Sequence, residues 1–315
     1  MHTAVKIAPQ YDNGVVHVLD ASRSVTVAGS LLSAEQKPKF LDDTRTQYSQ
    51  LREDFARKRT VKQYLPFADA QANHAAIDWK NFTPAIPRFT GTKQFSEVPL
   101  STLVPYIDWG PFFIAWELGG RFPQLLEDEV IGKEATKLYN DARALLQQIV
   151  DEKWLTANGV IGFWPANTIA PDTIALQNGN GETIHLEALR QQVKKAPGQP
   201  NFSLADFIAP AATGIKDHIG AFSVTINGIE PHIERFQQAY DDYNKIMLQA
   251  LADRLVEAFA EYLHEEVRTR HWGYAADEQL DKEALIKEKY AGIRPAPGYP
   301  ACPDHTEKYK LFNLL

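Results

Sequence analysis

The chain has 315 residues, 44% hydrophobic and 23% charged, with a net charge of −7. That length suits one large domain or two smaller ones, and the acidic balance argues against a general nucleic-acid binder, which needs a basic footprint. The single cysteine, Cys302, excludes an intrachain disulfide and fits a reducing cytoplasm; no apolar run has the length of a signal-peptide core or the roughly 18 residues of a membrane span.

In chain order, residues 15–19 (VVHVL) predict a short buried strand. Residues 20–24 form a polar turn, and Ser22 or Ser24 can cap a helix over 25–32. Strand, loop and helix make a βα unit of the type that ends a doubly wound sheet. One such unit cannot cover both faces of a parallel sheet, so residues 1–33 read as the last piece of a domain whose remainder is elsewhere. Residues 34–58 predict a charged amphipathic helix, with Phe40, Tyr48, Leu51 and Phe55 on one side. Residues 60–92, with Pro66, Pro84 and Pro87, predict an extended linker anchored by Trp79 and Phe82.

Residues 100–118 are apolar and helical in character, with Ser101 as a plausible N-cap. Asp108 lies there among Tyr106, Ile107, Trp109, Phe112 and Phe113. A carboxylate in such company is costly to bury unpaired, so it either caps the helix restarting at Pro111 or meets a cation. Residues 127–154 predict a long helix with a stripe from Val130 through Ala135, Leu138, Tyr139, Ala142 and Leu145 to Ile149. Residues 159–168 predict a strand, and 173–186 a hairpin around Asn178-Gly179-Asn180-Gly181. No Lys-Ser/Thr follows those glycines, so a phosphate cradle is disfavoured. Residues 204–210 and 218–224 add strand-like material. Hairpins and long helices without βαβ repetition predict an α+β fold with an antiparallel sheet.

Residues 231–270 predict the longest helix, with an apolar stripe from Ile233 to Tyr262. Asp253, Glu257 and Glu261 recur at four-residue steps on another face, which on the residues alone is a solvated acidic edge. His264-Glu265-Glu266-Val267-Arg268 lacks the second histidine of HExxH, so no metal ligand is expected. Residues 294–303 (RPAPGYPACP) carry four prolines, which forbid helix and favour extended backbone. Gly298 can take positive φ. The stretch predicts a stiff loop with outward-facing amides and carbonyls. Arg294 stands at its entrance and Tyr299 beyond its bend, making a ledge for a ligand with a carboxylate and a flat ring, or else a rigid surface turn. Cys302 reads as structural.

Residues 107–113 (IDWGPFF), 252–265 (ADRLVEAFAEYLHE) and 294–308, in that order, together resemble cobalamin-dependent methionine synthase. They are most similar to its C-terminal S-adenosylmethionine-binding reactivation domain, and the resemblance extends over nearly the whole chain. It implies an α+β fold, an antiparallel twisted sheet flanked by long helices and preceded by a remnant βα unit. It divides the chain into residues 1–33, the end of a cobalamin-binding domain; 34–92, helix and linker; and 93–315, an activation domain expected to be incomplete at its C-terminus, where family members continue with a tyrosine-containing motif. By carry-over, Asp108 contacts the ligand's amino group, Glu257 is a second pocket carboxylate, and Arg294 meets the ligand carboxylate. Ala296, Gly298 and Tyr299 offer backbone to adenine or ribose. Ala21 is a cobalamin contact in the remnant.

The implied function is reductive methylation that returns cob(II)alamin to the methionine-forming cycle. The implied partners are the cobalamin-binding domain or subunit and a flavodoxin-like reductase, in the cytoplasm, with neither nucleic acid nor membrane. The resemblance makes the chain part of a methyltransferase, not sufficient alone for methionine synthesis, with no catalytic base. The competing reading is a non-catalytic scaffold that docks a corrinoid protein and a flavodoxin.

Overall fold

The computed structural model describes residues 2–18, 21–58 and 62–315, with only the backbone described at 21–23 and 58. The chain forms two compact units, Met1–Tyr64 and Leu65–Leu315. In the first, a π turn at Thr3–Ile7 and a 3-10 turn at Ala8–Gln10 precede α1 (Ala21–Leu32) and α2 (Gln36–Lys58). The strand expected at 15–19 does not form at 15–18, and Leu19 lies outside the described residues. The physical reason is the lack of a strand partner: an extended segment must pair its amides. Here the His17 amide instead donates to the Tyr48 hydroxyl at 2.9 Å. Arg52 donates to the Ala4 carbonyl at 3.0 Å, tying α2 to the N-terminal turn.

The second unit opens with α3 (Phe67–Ala72), a short helix inside the stretch expected to be extended, and Trp79 and Phe82 meet edge to face beyond it. Next come β1 (Gly91–Val98), α4 (Leu100–Leu103), a 3-10 turn at Val104–Tyr106, α5 (Gly110–Ala115) and α6 (Gly132–Asp151). Ser101 does not cap α4: Pro99 takes the N-cap position and no side chain caps it. The sheet is built on β2 (Thr156–Ala170), with β3 (Thr173–Gln177), β4 (Thr183–Glu187) and β5 (Asp217–Asn227). Every pairing of these strands is antiparallel. β5 runs along β2 from Thr156 to Ala166. The opposite edge of β2 is shared, by β1 up to Phe163 and by β3 from Ala166. Pro165, which cannot donate to a ladder, falls in the gap between those two partners. The hairpin at residues 178–181 forms as expected, with Asn178 Oδ1 accepting from the amides of Asn180 and Glu182.

Residues 204–210 are not strand: Leu204–Phe207 is a 3-10 turn closed by a reciprocal cap between Ser203 and Asp206. That cap satisfies the local amides that a ladder would otherwise hold. The expected helix over 231–270 is interrupted. α7 (Glu230–Gln238) ends where Tyr240 takes φ of 54°, and Asp241 caps α8 (Asp242–Glu266) through the Asn244 amide at 3.0 Å. A π turn at Val267–His271 follows, then α9 (Lys282–Ile286) and α10 (Glu307–Leu314).

The main core lies between one face of the sheet and α4, α5, α6 and α8. Met247, Leu251, Leu255, Phe259 and Leu263 of α8 meet Leu138, Ala142 and Ile149 of α6, and Phe112, Phe113, Ile161 and Phe163. Each fully buried apolar side chain of this size contributes roughly 1.5–3 kcal/mol. Val130 stands outside the expected stripe, ahead of α6 and 89% exposed. A second cluster holds Trp164, Ile174, Leu176, Leu186, Ile208 and Leu314. Among the described residues no helix is long and apolar enough to cross a membrane.

Candidate functional site

A cleft of about 620 Å3 opens in the second unit, lined by residues 102–111, one face of α8, the α9 segment and Arg294. α8 presents Arg254, Glu257, Glu261 and Glu265 to it, at steps of three and four that stack side chains on one helix face. The opposite face of α8 is packed in the core, so the helix is a rigid platform. Tyr106 and Asp108 enter from the link between α4 and α5, where Pro105 and Pro111 stiffen the backbone. Neighbouring Ile107, Trp109, Phe112 and Phe113 are buried and fix that link. Lys282, Leu285, Ile286 and Glu288 come from α9 and its end.

The lining carries five carboxylates (Asp108, Glu257, Glu261, Glu265 and Glu288) against three cations (Arg254, Lys282 and Arg294). A cleft of this balance draws cationic groups while keeping fixed points for an anion. Trp109, not Asp108, takes the N-cap position of α5, and no side chain caps it. Asp108 Oδ1 accepts from the Gly110 amide at 2.9 Å, closing the turn before α5, and the side chain lines the cleft. Arg294 Nη2 donates to Glu261 Oε2 at 2.8 Å. Burial pushes the Glu261 carboxyl upward, and the charges of Arg294 and Arg268 pull it back down. Burial likewise pushes Lys282 down while the Asp108 charge supports its protonation. The Tyr106 hydroxyl is raised, first by burial and then by the charge and hydrogen bond of Glu265.

Behind the cleft lies a buried network. Arg268 has no exposed surface. It donates to Glu278 from Nε at 2.9 Å and from Nη2 at 2.6 Å, and its Nη1 lies 2.8 Å from His264 Nδ1. The Tyr290 ring covers its guanidinium at 4.3 Å. Burial and the Arg268 charge push His264 down to about 3, so the ring is neutral and accepts the arginine hydrogen bond. This network holds the chain after the π turn against the end of α8, four residues before Arg294.

Three expected site residues therefore come together: Asp108, Glu257 and Arg294 line one cleft from three separate segments. Ala296, Gly298 and Tyr299 lie outside that lining. Their loop also differs from the outward-facing ledge expected of it. The Gly298 amide donates to the Cys302 carbonyl at 2.8 Å, Tyr299 to Ala296 at 2.9 Å, and Cys302 to Tyr299 at 2.9 Å. Those amides turn inward because a proline-rich loop has few donors with which to close itself. Gly298 has φ of 109°, and a Cβ there would come within 2.4 Å of the His305 ring. Cys302 is half-buried, and burial followed by Glu307 and Asp304 raises its thiol, as suits a structural cysteine. Ala21 opens α1, and its side chain lies outside the described residues.

Glu261, expected on a solvated acidic edge, lines the cleft, as do Arg254, Glu265, Lys282 and Glu288, which the sequence did not single out for the site. The four-residue spacing of Glu257, Glu261 and Glu265 was the available signal for one face; nothing in the sequence distinguished that face from a solvated one.

The chain matches the family model described as vitamin B12 dependent methionine synthase, activation domain, over residues 99–315. Among solved structures it is similar to one titled "Crystal Structure of the MetH Reactivation Domain bound to AdoHcy". The identity is 47%, over 80% of this chain and 78% of that one, with a TM-score of 0.75. The antiparallel sheet and the long helices agree with that match: the chain belongs to the activation-domain family of vitamin B12 dependent methionine synthase.

Proposed function

We propose that the cleft binds S-adenosylmethionine and that the chain serves reductive reactivation of a cobalamin-dependent methionine synthase. The carrying observation is the convergence of Asp108, Glu257 and Arg294 on one acid-rich cleft. The donor set fits the ligand. Its volume of about 620 Å3 is in the range of small-molecule sites. The ligand's ammonium and sulfonium need anions, and five carboxylates are present; its carboxylate needs a cation, and Arg294 supplies a planar fork. Glu261 orients that fork from below, through the 2.8 Å contact. Asp108 and Glu257 accept the ammonium. Ala296, Gly298 and Tyr299 flank the adenosine end, through the Gly298 carbonyl and the tyrosine ring, since the Gly298 and Tyr299 amides and the Ala296 and Tyr299 carbonyls already bond within the loop.

Methyl transfer from S-adenosylmethionine, coupled to one-electron reduction, restores cob(II)alamin to the active cycle. The chain's own residues bind and orient; a methyl group leaving a sulfonium needs no general base, and positioning is what the protein contributes. In this reading residues 1–33 close a cobalamin-binding domain with Ala21 as a cobalamin contact, 34–92 connect, and 93–315 form the activation domain. A flavodoxin-like reductase supplies the electron.

Calorimetry tests the ligand assignment. S-adenosylmethionine binds saturably, and Arg294→Ala weakens it by about 30-fold or more, because truncating one partner of a hydrogen-bonded charge pair costs roughly 2–5 kcal/mol. No binding by a folded wild-type chain overturns the assignment and favours the docking-scaffold reading.

A further inference from the structure

Lys282 stands apart from the other cleft cations. Arg294 is paired with Glu261, whereas Lys282 reaches in from the first residue of α9 and its Nζ donates to the Ile107 carbonyl. That carbonyl immediately precedes Asp108, whose charge acts on Lys282. A primary ammonium is thus already seated on the backbone acceptor next in the chain to the carboxylate that the proposed ligand's own ammonium requires, and both side chains line the cleft. Both ammonium groups are compact cations with three donors, and the same part of the cleft cannot hold both at once.

α9 is short and lightly anchored: it has five residues, buries Leu285, is capped by its own Asp281, makes an exposed ion pair from Glu283 to Arg121 at 2.8 Å, and lies between irregular segments at 273–281 and 287–306. We infer that Lys282 is an intramolecular stand-in for the ligand ammonium, a tethered plug that S-adenosylmethionine must displace from the Ile107 carbonyl beside Asp108. The inference rests on the reading of the cleft as an S-adenosylmethionine site. The plug makes the site selective: a ligand lacking an ammonium gains nothing by displacing it.

The test compares wild type with Lys282→Met, which keeps the stem and removes the ammonium, against two probes. S-adenosylmethionine carries the amino-acid end; 5′-methylthioadenosine shares its adenosine and lacks that end. If the site is open about a tenth of the time, removal of the plug tightens S-adenosylmethionine about tenfold. Affinity for 5′-methylthioadenosine then stays unchanged. Amine acylation followed by mass spectrometry gives a second readout: in wild type, Lys282 becomes more reactive when S-adenosylmethionine is added.

Unchanged or weaker S-adenosylmethionine binding in Lys282→Met overturns the plug, as does equal tightening of both probes. Such results leave the ligand assignment standing, because wild type still binds and Arg294→Ala still weakens. No binding by either protein overturns the plug and the ligand assignment together.

Discussion

Arg268 and His264 show how single residues set the ground state behind the cleft. A guanidinium with no exposed surface is tolerable only when its donors are met; Glu278 and His264 meet them, and the Tyr290 ring covers the guanidinium face. His264 is thereby held neutral, with its pKa near 3 instead of 6.5. The sign of the pH effect follows. As pH falls below 6.5 the unfolded chain protonates this histidine and the folded chain does not, until about 3. Its contribution is therefore complete above pH 6.5 and is lost progressively toward pH 3, by about 1.4 kcal/mol per pH unit at most. Urea midpoints measured at pH 7 and pH 5 decrease accordingly. His264→Asn, which cannot take up a proton, loses that part of the decrease while starting from a lower stability at pH 7. An unchanged slope in the variant would show that other groups set it.

At the scale of elements, the sheet and α8 are fitted by close approach. Gly159 of β2 faces Phe259 of α8, where an added Cβ would meet the ring at 2.9 Å. The loop carrying Gly298 depends on its glycine for a different reason, since both φ of 109° and the His305 ring exclude a side chain. Gly298→Ala therefore strains the loop by about 1–3 kcal/mol. Because the loop sits at the edge of the fold, the expected result is a small drop in melting temperature and a larger loss of S-adenosylmethionine affinity. Equal affinity in the variant would separate this loop from the ligand site. The break between α7 and α8 is likewise local. Asp241 is a strong cap, and Tyr240, 95% exposed, gains nothing from continuing the apolar stripe.

For the whole molecule, the division of the core matters. Nearly all of the buried apolar side chains belong to Leu65–Leu315, whereas Met1–Tyr64 buries Ala4 and Tyr48 among its described residues. A chain of residues 65–315 is expected to keep a cooperative melt within a few degrees of the full chain, as measured by calorimetry. A 1–64 peptide is expected to show helix by circular dichroism without a cooperative transition, since it has too little apolar burial to offset chain entropy. Loss of the cooperative melt in 65–315 would refute this.

The sequence by itself determined the antiparallel α+β character, the 178–181 hairpin, the core stripe of α8 and the family. Each of these rests on local chemistry: turn residues, helical periodicity, and motifs contiguous in the chain. Only the tertiary structure decided which charges face one another. Glu257, Glu261 and Glu265 share a face whether that face is wet or lines a cleft, and α4, α5 and α9 fold over it to make the difference. The pairing of Arg294 with Glu261, thirty-three residues away, and the reach of Lys282 to Ile107 across 175 residues depend on how the chain returns on itself. The same holds for the strand expected at 15–19: an extended segment becomes a strand only when another strand is there to take its hydrogen bonds.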